Sequence, residues 1–250
     1  MNIVARQVFA LHDLEDFVKK IIVLMLLVST AVAAEDASKP WTGSAGLGIL
    51  ATSGNSETMN ANLTLGLNYD VNRWHHSATA LAAGADTSGV TTAERYSAGY
   101  KVKYDFTEFD YVFGLVAYEK DKFSGYDLQT TEAIGYGRRI INQDSQVLNL
   151  EVGAGFKQND LRDGTSEDSG IVRLGGDYLW NFSPTAQFTQ ILVAERGSDN
   201  TYLESISAIK ATLMQELALV LSYTIKNNSE VPVGSEKKDT FTAISLEYAF

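Results

Sequence analysis

The sequence predicts an all-β protein, a transmembrane antiparallel up-and-down β-barrel of about 12 strands. Three observations predict it. Apolar and polar residues alternate with a period of two from Trp41 onward. Short connections between the alternating segments take turns with longer polar ones. The last alternating segment ends the chain on Phe250.

The first stretch is of a different kind. Lys19 and Lys20 precede an apolar run, Ile21 to Val28, and then small residues from Ser29 to Ala34. A basic start, an apolar run of about eight residues and a small-residue end make a secretory signal. The run is too short to cross a bilayer as a helix, which takes about 20 apolar residues. Cleavage is expected after Ala33 or Ala34. Asp13, Glu15 and Asp16 sit upstream, where a signal does not carry acids. The expected organisation is therefore an extension over 1–17, lying ahead of a translation start at Val18, a signal over 18–34 and the barrel over 35–250.

The strands follow from the alternation. Met59, Ala61, Leu63, Leu65, Leu67, Tyr69 and Val71 alternate with Asn60, Asn62, Thr64, Gly66, Asn68 and Asp70. Tyr96, Ala98, Tyr100, Val102, Tyr104 and Phe106 alternate with Arg95, Ser97, Gly99, Lys101, Lys103 and Asp105. Leu148 to Phe156 repeats the pattern. Successive side chains of a strand point to opposite faces, so each segment has one apolar face and one polar or small face. Gln187 to Glu195 and Tyr202 to Thr212 are less clean, with polar residues on both registers. Segments of roughly ten residues suit tilted strands crossing a membrane.

Short connections are expected near Asn72-Arg73-Trp74, Thr107 to Phe109, Asn142 to Ser145, Ser183 to Thr185 and Gln215-Glu216. Longer ones are expected near Gly54 to Glu57, Asp86 to Glu94, Phe123 to Leu128, Asn159 to Asp168, Gly197 to Asn200 and Asn227 to Asp239. Short periplasmic turns opposite longer external loops characterise outer-membrane barrels. Aromatic residues gather at the short-turn ends: Trp41, Tyr69, Trp74, Tyr104, Phe106, Phe109, Tyr111, Trp180, Phe182, Phe188 and Phe250. Such rings favour the headgroup level of a membrane. The closing stripe Thr242, Ile244, Leu246, Tyr248, Phe250 resembles an insertion signal for the barrel-assembly machinery, with Tyr248 and Phe250 its candidate residues.

Composition narrows the function. The 250 residues carry 20 Lys and Arg against 31 Asp and Glu, a net charge of −11 that argues against nucleic-acid binding. Cysteine is absent, which rules out a disulfide framework or thiolate metal site. A soluble β-sandwich would show the same alternation. The export signal, the Gly, Ser, Asn and Thr on the polar face and the terminal stripe favour the membrane.

Trp41-Thr42-Gly43, the small-residue strand Ser44 to Gly48 and the turn Thr52-Ser53-Gly54-Asn55-Ser56-Glu57-Thr58 resemble the YdiY-like salt-induced outer-membrane proteins, a family of unassigned function. The resemblance spans Trp41 to Phe250. It implies an outer-membrane barrel associated with salt or osmotic conditions and brings no catalytic residues with it.

Three histidines offer little for catalysis. His12 lies upstream of the signal, and His75 and His76 adjoin the turn after Asn72. Ser77 follows them, but neighbours in a strand face opposite ways, and a triad needs a base beside its nucleophile. Two histidines also fall short of a tetrahedral metal site. Asp160, Asp163, Glu167 and Asp168 lack the ordered spacing of a calcium loop, although divalent bridging to lipopolysaccharide is an option there. No enzyme activity, metal or cofactor is expected. The expected partners are outer-membrane lipid and lipopolysaccharide.

The lumen is the better place for function. The candidate lumen-lining residues are Asp70, Lys101, Lys103, Glu151, Arg173, Asp177, Lys226 and Glu247. Charges inside a narrow barrel must be paired or hydrated. Two outcomes stay open at this point: a hydrated pore of mixed charge, or a salt-bridged plug.

Overall fold

Each polar–apolar segment of the sequence becomes a strand, and each strand pairs with its neighbours in the chain. In the computed structural model, which describes residues 40–52, 58–122, 126–161, 164–232 and 235–250, twelve antiparallel strands form a closed ring. They are β1 (Trp41–Thr52), β2 (Thr58–Val71), β3 (Trp74–Thr87), β4 (Val90–Asp105), β5 (Asp110–Asp121) and β6 (Tyr126–Gln143). β7 (Gln146–Leu161), β8 (Ser166–Ser183), β9 (Ala186–Arg196), β10 (Thr201–Met214), β11 (Leu217–Asn228) and β12 (Lys238–Ala249) complete the ring, with β12 beside β1. The expected extension and signal fall on residues 1–34, outside the described residues.

The outward face is apolar. Ile134 and Phe156 are 74% and 69% exposed, and Leu150, Leu174, Ile244 and Leu246 are exposed around the ring. A soluble monomer rarely shows a continuous apolar surface of this kind, so the ring is a transmembrane barrel. A bilayer also forbids open sheet edges, because an unpaired amide or carbonyl finds no water there.

Closure rests on the β1–β12 seam. Its register runs over four pairs, Ser44 with Ala249 to Leu47 with Leu246, whereas β5 and β6 pair over ten. Gly43 and Phe250 then exchange two backbone hydrogen bonds, 2.7 and 2.9 Å. A Cβ on Gly43 would stand 2.5 Å from Cε2 of the Phe250 ring, so only glycine lets that ring lie against the seam.

The strands run to 18 residues in β6 and β8, well past the ten expected, and absorb much of the predicted loop sequence. The expected loop over Asp86 to Glu94 is a two-residue turn. Ser88 and Gly89 both have positive φ, +54° and +79°, which is the tight hairpin that matches strand twist. The Asp86 carboxylate accepts from the Gly89 amide at 2.8 Å and fixes that turn.

Most of the aromatic belt forms at the short-turn end. Trp41 packs on Tyr69 with ring centroids 4.4 Å apart, Trp74 on Tyr104 at 4.8 Å and Trp180 on Phe182 at 5.5 Å. Tyr111 is the exception: it faces inward and is fully buried. Apolar residues occupy both registers of β5, which hid its parity. On β9 and β10 polar and apolar residues share both faces. Gln190 faces outward, donates to Ser205 at 3.0 Å and accepts from Ser207 at 2.6 Å, while Ile191, Val193 and Ile206 line the interior.

The seam generates one prediction. Gly43→Val displaces the Phe250 ring and weakens closure by about 1–3 kcal/mol, the cost of an overpacked site. Urea unfolding of the refolded barrel, followed by tryptophan fluorescence, should show the loss; an unchanged midpoint would contradict it.

Candidate functional site

The alternation that points apolar residues to lipid turns the other register inward, and almost every charge on it finds a partner there. Near the turn end, Lys101 Nζ lies 2.6 Å from both carboxylate oxygens of Glu151, and Lys103 Nζ lies 3.8 Å from one of them. The Tyr111 hydroxyl donates to Glu151 at 2.9 Å. Asp105 takes both oxygens to Arg139 Nη2, at 3.0 and 2.8 Å. Asn149 donates to Asp177.

Aromatic rings floor this cluster. Lys101 stands 4.9 Å over the Phe113 ring, Lys103 4.8 Å over Tyr111 and Arg139 5.3 Å over Tyr111. A π face attracts a cation and offsets part of its lost hydration. The Tyr111 ring lies flat because β6 offers Gly137: a Cβ there would be 2.2 Å from Tyr111 Cζ.

Higher in the barrel a second network gathers. Lys157 meets Glu195 at 3.1 Å, and Arg173 pairs with the other oxygen of the same carboxylate. Lys157 also stands 4.2 Å over the Tyr202 ring. Arg95 Nη2 holds Glu119 at 2.9 Å, and Lys226 Nζ holds both Glu119 oxygens at 2.6 Å. Nearer β12, Lys210 pairs with Glu247 at 2.6 Å.

The eight candidate lumen residues therefore take different places. Lys101, Lys103 and Glu151 meet in one cluster, with Asp177 close by through Asn149; Arg173 and Lys226 join the higher network; Glu247 pairs with Lys210. Asp70 sits apart at the turn end, more than half exposed, on His75 Nδ1 at 2.6 Å. His75 Nε2 meets Asp105 at 2.9 Å. Sequence reading missed Arg95, Glu119, Arg139, Lys157, Glu195 and Lys210. Arg95 and Asp105 stood on a register already identified as polar; Glu119 lay on β5, where that signal is absent.

Among the described residues, His75 and His76 form no nucleophile–base pair. His75 is engaged on both nitrogens by carboxylates, Ser77 donates to Asn68 at 2.8 Å, and His76 faces outward onto the Tyr100 hydroxyl at 2.6 Å. Among the described residues, no three His, Asp or Glu side chains converge as metal ligands.

Open space remains within the lumen. A cavity of about 640 Å³ follows the wall from β11 through β12 and β1 to β4, and Asn60, Asn62, Thr64, Ser222 and Ser245 are among its lining. A second, about 540 Å³, lies deeper, and Thr64, Leu81, Arg95 and Glu247 border both. Across the lumen, Lys157, Asn159 and Glu195 are buried. Charged side chains border the open space as well: Asp121 and Asp239 line the first cavity, and Glu119, Lys157, Arg173 and Glu195 the second.

The family described as "Protein of unknown function, DUF481" matches residues 45–250. The "Uncharacterized protein YdiY" of Escherichia coli (strain K12) is 30% identical over 221 residues, covering 85% of this chain and 84% of that relative. Among solved structures, the NanC porin is 9% identical with a TM-score of 0.49, covering 83% of this chain and 97% of its own. An outer membrane channel from Pseudomonas putida F1 is 12% identical with the same score, covering 87% and 100%.

The Glu151 cluster sets a second prediction. Lys101→Met leaves a buried carboxylate with one distant ammonium and one hydroxyl. The loss should be about 2 kcal/mol, below the ~3–5 kcal/mol of a wholly orphaned charge. Adding Glu151→Gln should recover more than half of it. A double-mutant cycle by urea unfolding checks this; strictly additive losses would contradict the pairing.

Proposed function

This chain belongs to the DUF481 family, whose function is unknown, and from that premise we propose that it is an outer-membrane barrel giving passive passage to small hydrophilic solutes, water and ions. The open space within the lumen carries the reading. Its lining joins hydroxyl, amide and small side chains to charged ones such as Arg95, Asp239 and Glu247, so a solute would find hydrogen-bond partners in place of part of its hydration. A ring of twelve strands is wide enough for such a space, whereas eight strands are filled by their own side chains.

Selectivity between ions should be weak. Cations and carboxylates alternate within each network and neutralise one another, and strong discrimination needs a ring of one sign. Export through the segment over 18–34, and recognition of the Tyr248 and Phe250 stripe by the assembly machinery, would bring the chain to the outer membrane. Contacts with lipopolysaccharide would fall to the loop end, near Asp160 and Glu167. A role in salt or osmotic adaptation fits passive exchange of small solutes.

A second reading, a non-conducting envelope barrel, draws on the side chains that meet across the lumen, Glu119 and Lys226.

Planar-bilayer recording of the refolded chain separates the two. The passage reading expects resolvable single-channel steps with little ion preference, and liposome swelling in neutral sugars or polyols. Silence in both assays would overturn it. In the producing strain, deletion should slow growth after a shift in external salt, and restoring the full chain should reverse the delay.

A further inference from the structure

The Glu119–Lys226 contact differs in kind from the other interior pairs. β5 and β11 stand six places apart in a ring of twelve, so the two residues come from opposite walls. Among the described residues, the other charge pairs within the lumen join strands at most three places apart, as Lys101 on β4 and Glu151 on β7 do. Arg95, which holds Glu119, borders both cavities, and Glu119 borders the deeper one. The pair therefore crosses the passage beside the place where the cavities meet.

Each partner also has a substitute on its own wall. Lys226 is register-paired with Glu204 on β10 and with Asp239 on β12, and its Nζ already lies 3.9 Å from Glu204. Glu119 keeps Arg95, on the adjacent strand β4, at 2.9 Å. Other groups near the crossing are Asp121, register-paired with Arg95, Tyr202 beside Glu195, and Phe241, whose ring lies 5.2 Å under the Arg95 guanidinium. Separating a buried pair is costly because it strands a charge. Here neither charge is stranded: Lys226 falls back to Glu204 and Asp239, Glu119 to Arg95.

We propose that Glu119 and Lys226 form a removable strut, a gate with two alternative sets of ion pairs. In the closed arrangement Lys226 reaches across the lumen to Glu119. In the open one it pairs along its own wall, and the two cavities join into one bore. This rests on the passage reading for its biological use, although the strut itself can be tested without it.

The test is single-channel recording of the refolded full chain at one fixed salt concentration, with folding checked by the heat-dependent shift of the barrel on a gel. Lys226→Met and Glu119→Gln each remove the strut and should raise the main conductance level severalfold. Glu204→Gln combined with Asp239→Asn removes the fallback partners and should shorten openings severalfold. General loosening of the barrel would not produce those opposite effects. Wild-type conductance with a folded, unchanged Lys226→Met would overturn the strut and leave the passage standing. A silent wild type with a conducting Lys226→Met would do the reverse, and silence throughout would overturn both. Where Lys226→Met does not fold, the double variant decides by the same measure: unchanged open times overturn the strut.

Discussion

Everything in this molecule depends on closing the sheet. Inside a bilayer an unpaired strand edge leaves a row of amides and carbonyls without partners, each costing several kcal/mol, so twelve strands must end where they began. The burden falls on the seam between β1 and β12, where four register pairs and the Gly43–Phe250 exchange join the first strand to the last. The terminal phenylalanine thus does two jobs. Its backbone completes the ring, and its side chain lies in the aromatic belt, stacked near Tyr248.

Closure then dictates the chemistry inside. Once the sheet is a tube, one register has nowhere to point but inward. Ionisable side chains on it lose bulk water and must find each other. Glu151, Glu195 and Lys226 are among the most buried polar residues of the described chain, and each has at least one opposite charge within hydrogen-bonding range. The lumen is consequently a lattice of ion pairs that is close to neutral, although the whole chain carries a charge of −11. Much of that excess negative charge therefore lies outside the paired lattice.

The fold was legible in the sequence because a period of two is a direct print of a sheet with one face in lipid. β2, β4 and β7 alternate cleanly, and their inward residues could be named from the letters alone. Strand length was less legible: the barrel continues past the apolar band, and polar residues there look like loop until they are seen to pair. The interior site was half legible. Lys101 and Glu151 could each be placed inside, but their meeting required the ring's curvature, which brings β4 and β7 within reach. Glu119 was hidden because Tyr111, Phe113, Leu115 and Ala117 precede it on the inward register of β5 and read like a lipid face.

That same inward apolar run decides where open space can exist. Tyr111 and Phe113 lie against the glycines of β6 and β7, and Lys101, Lys103 and Arg139 stack on the two rings. Glycine on the wall, ring on glycine and cation on ring build a solid layer inward from one side. The opposite wall offers Ser44, Gly46, Asn62 and Thr64, side chains too short to reach the middle and without charge to draw a partner over. Past Phe113 the inward residues of β5 shorten to Leu115 and Ala117, and both border the deeper cavity. Where the lumen is filled thus follows from where the sequence spends its aromatic rings, with a solid layer around Tyr111 and Phe113 and open space beyond it.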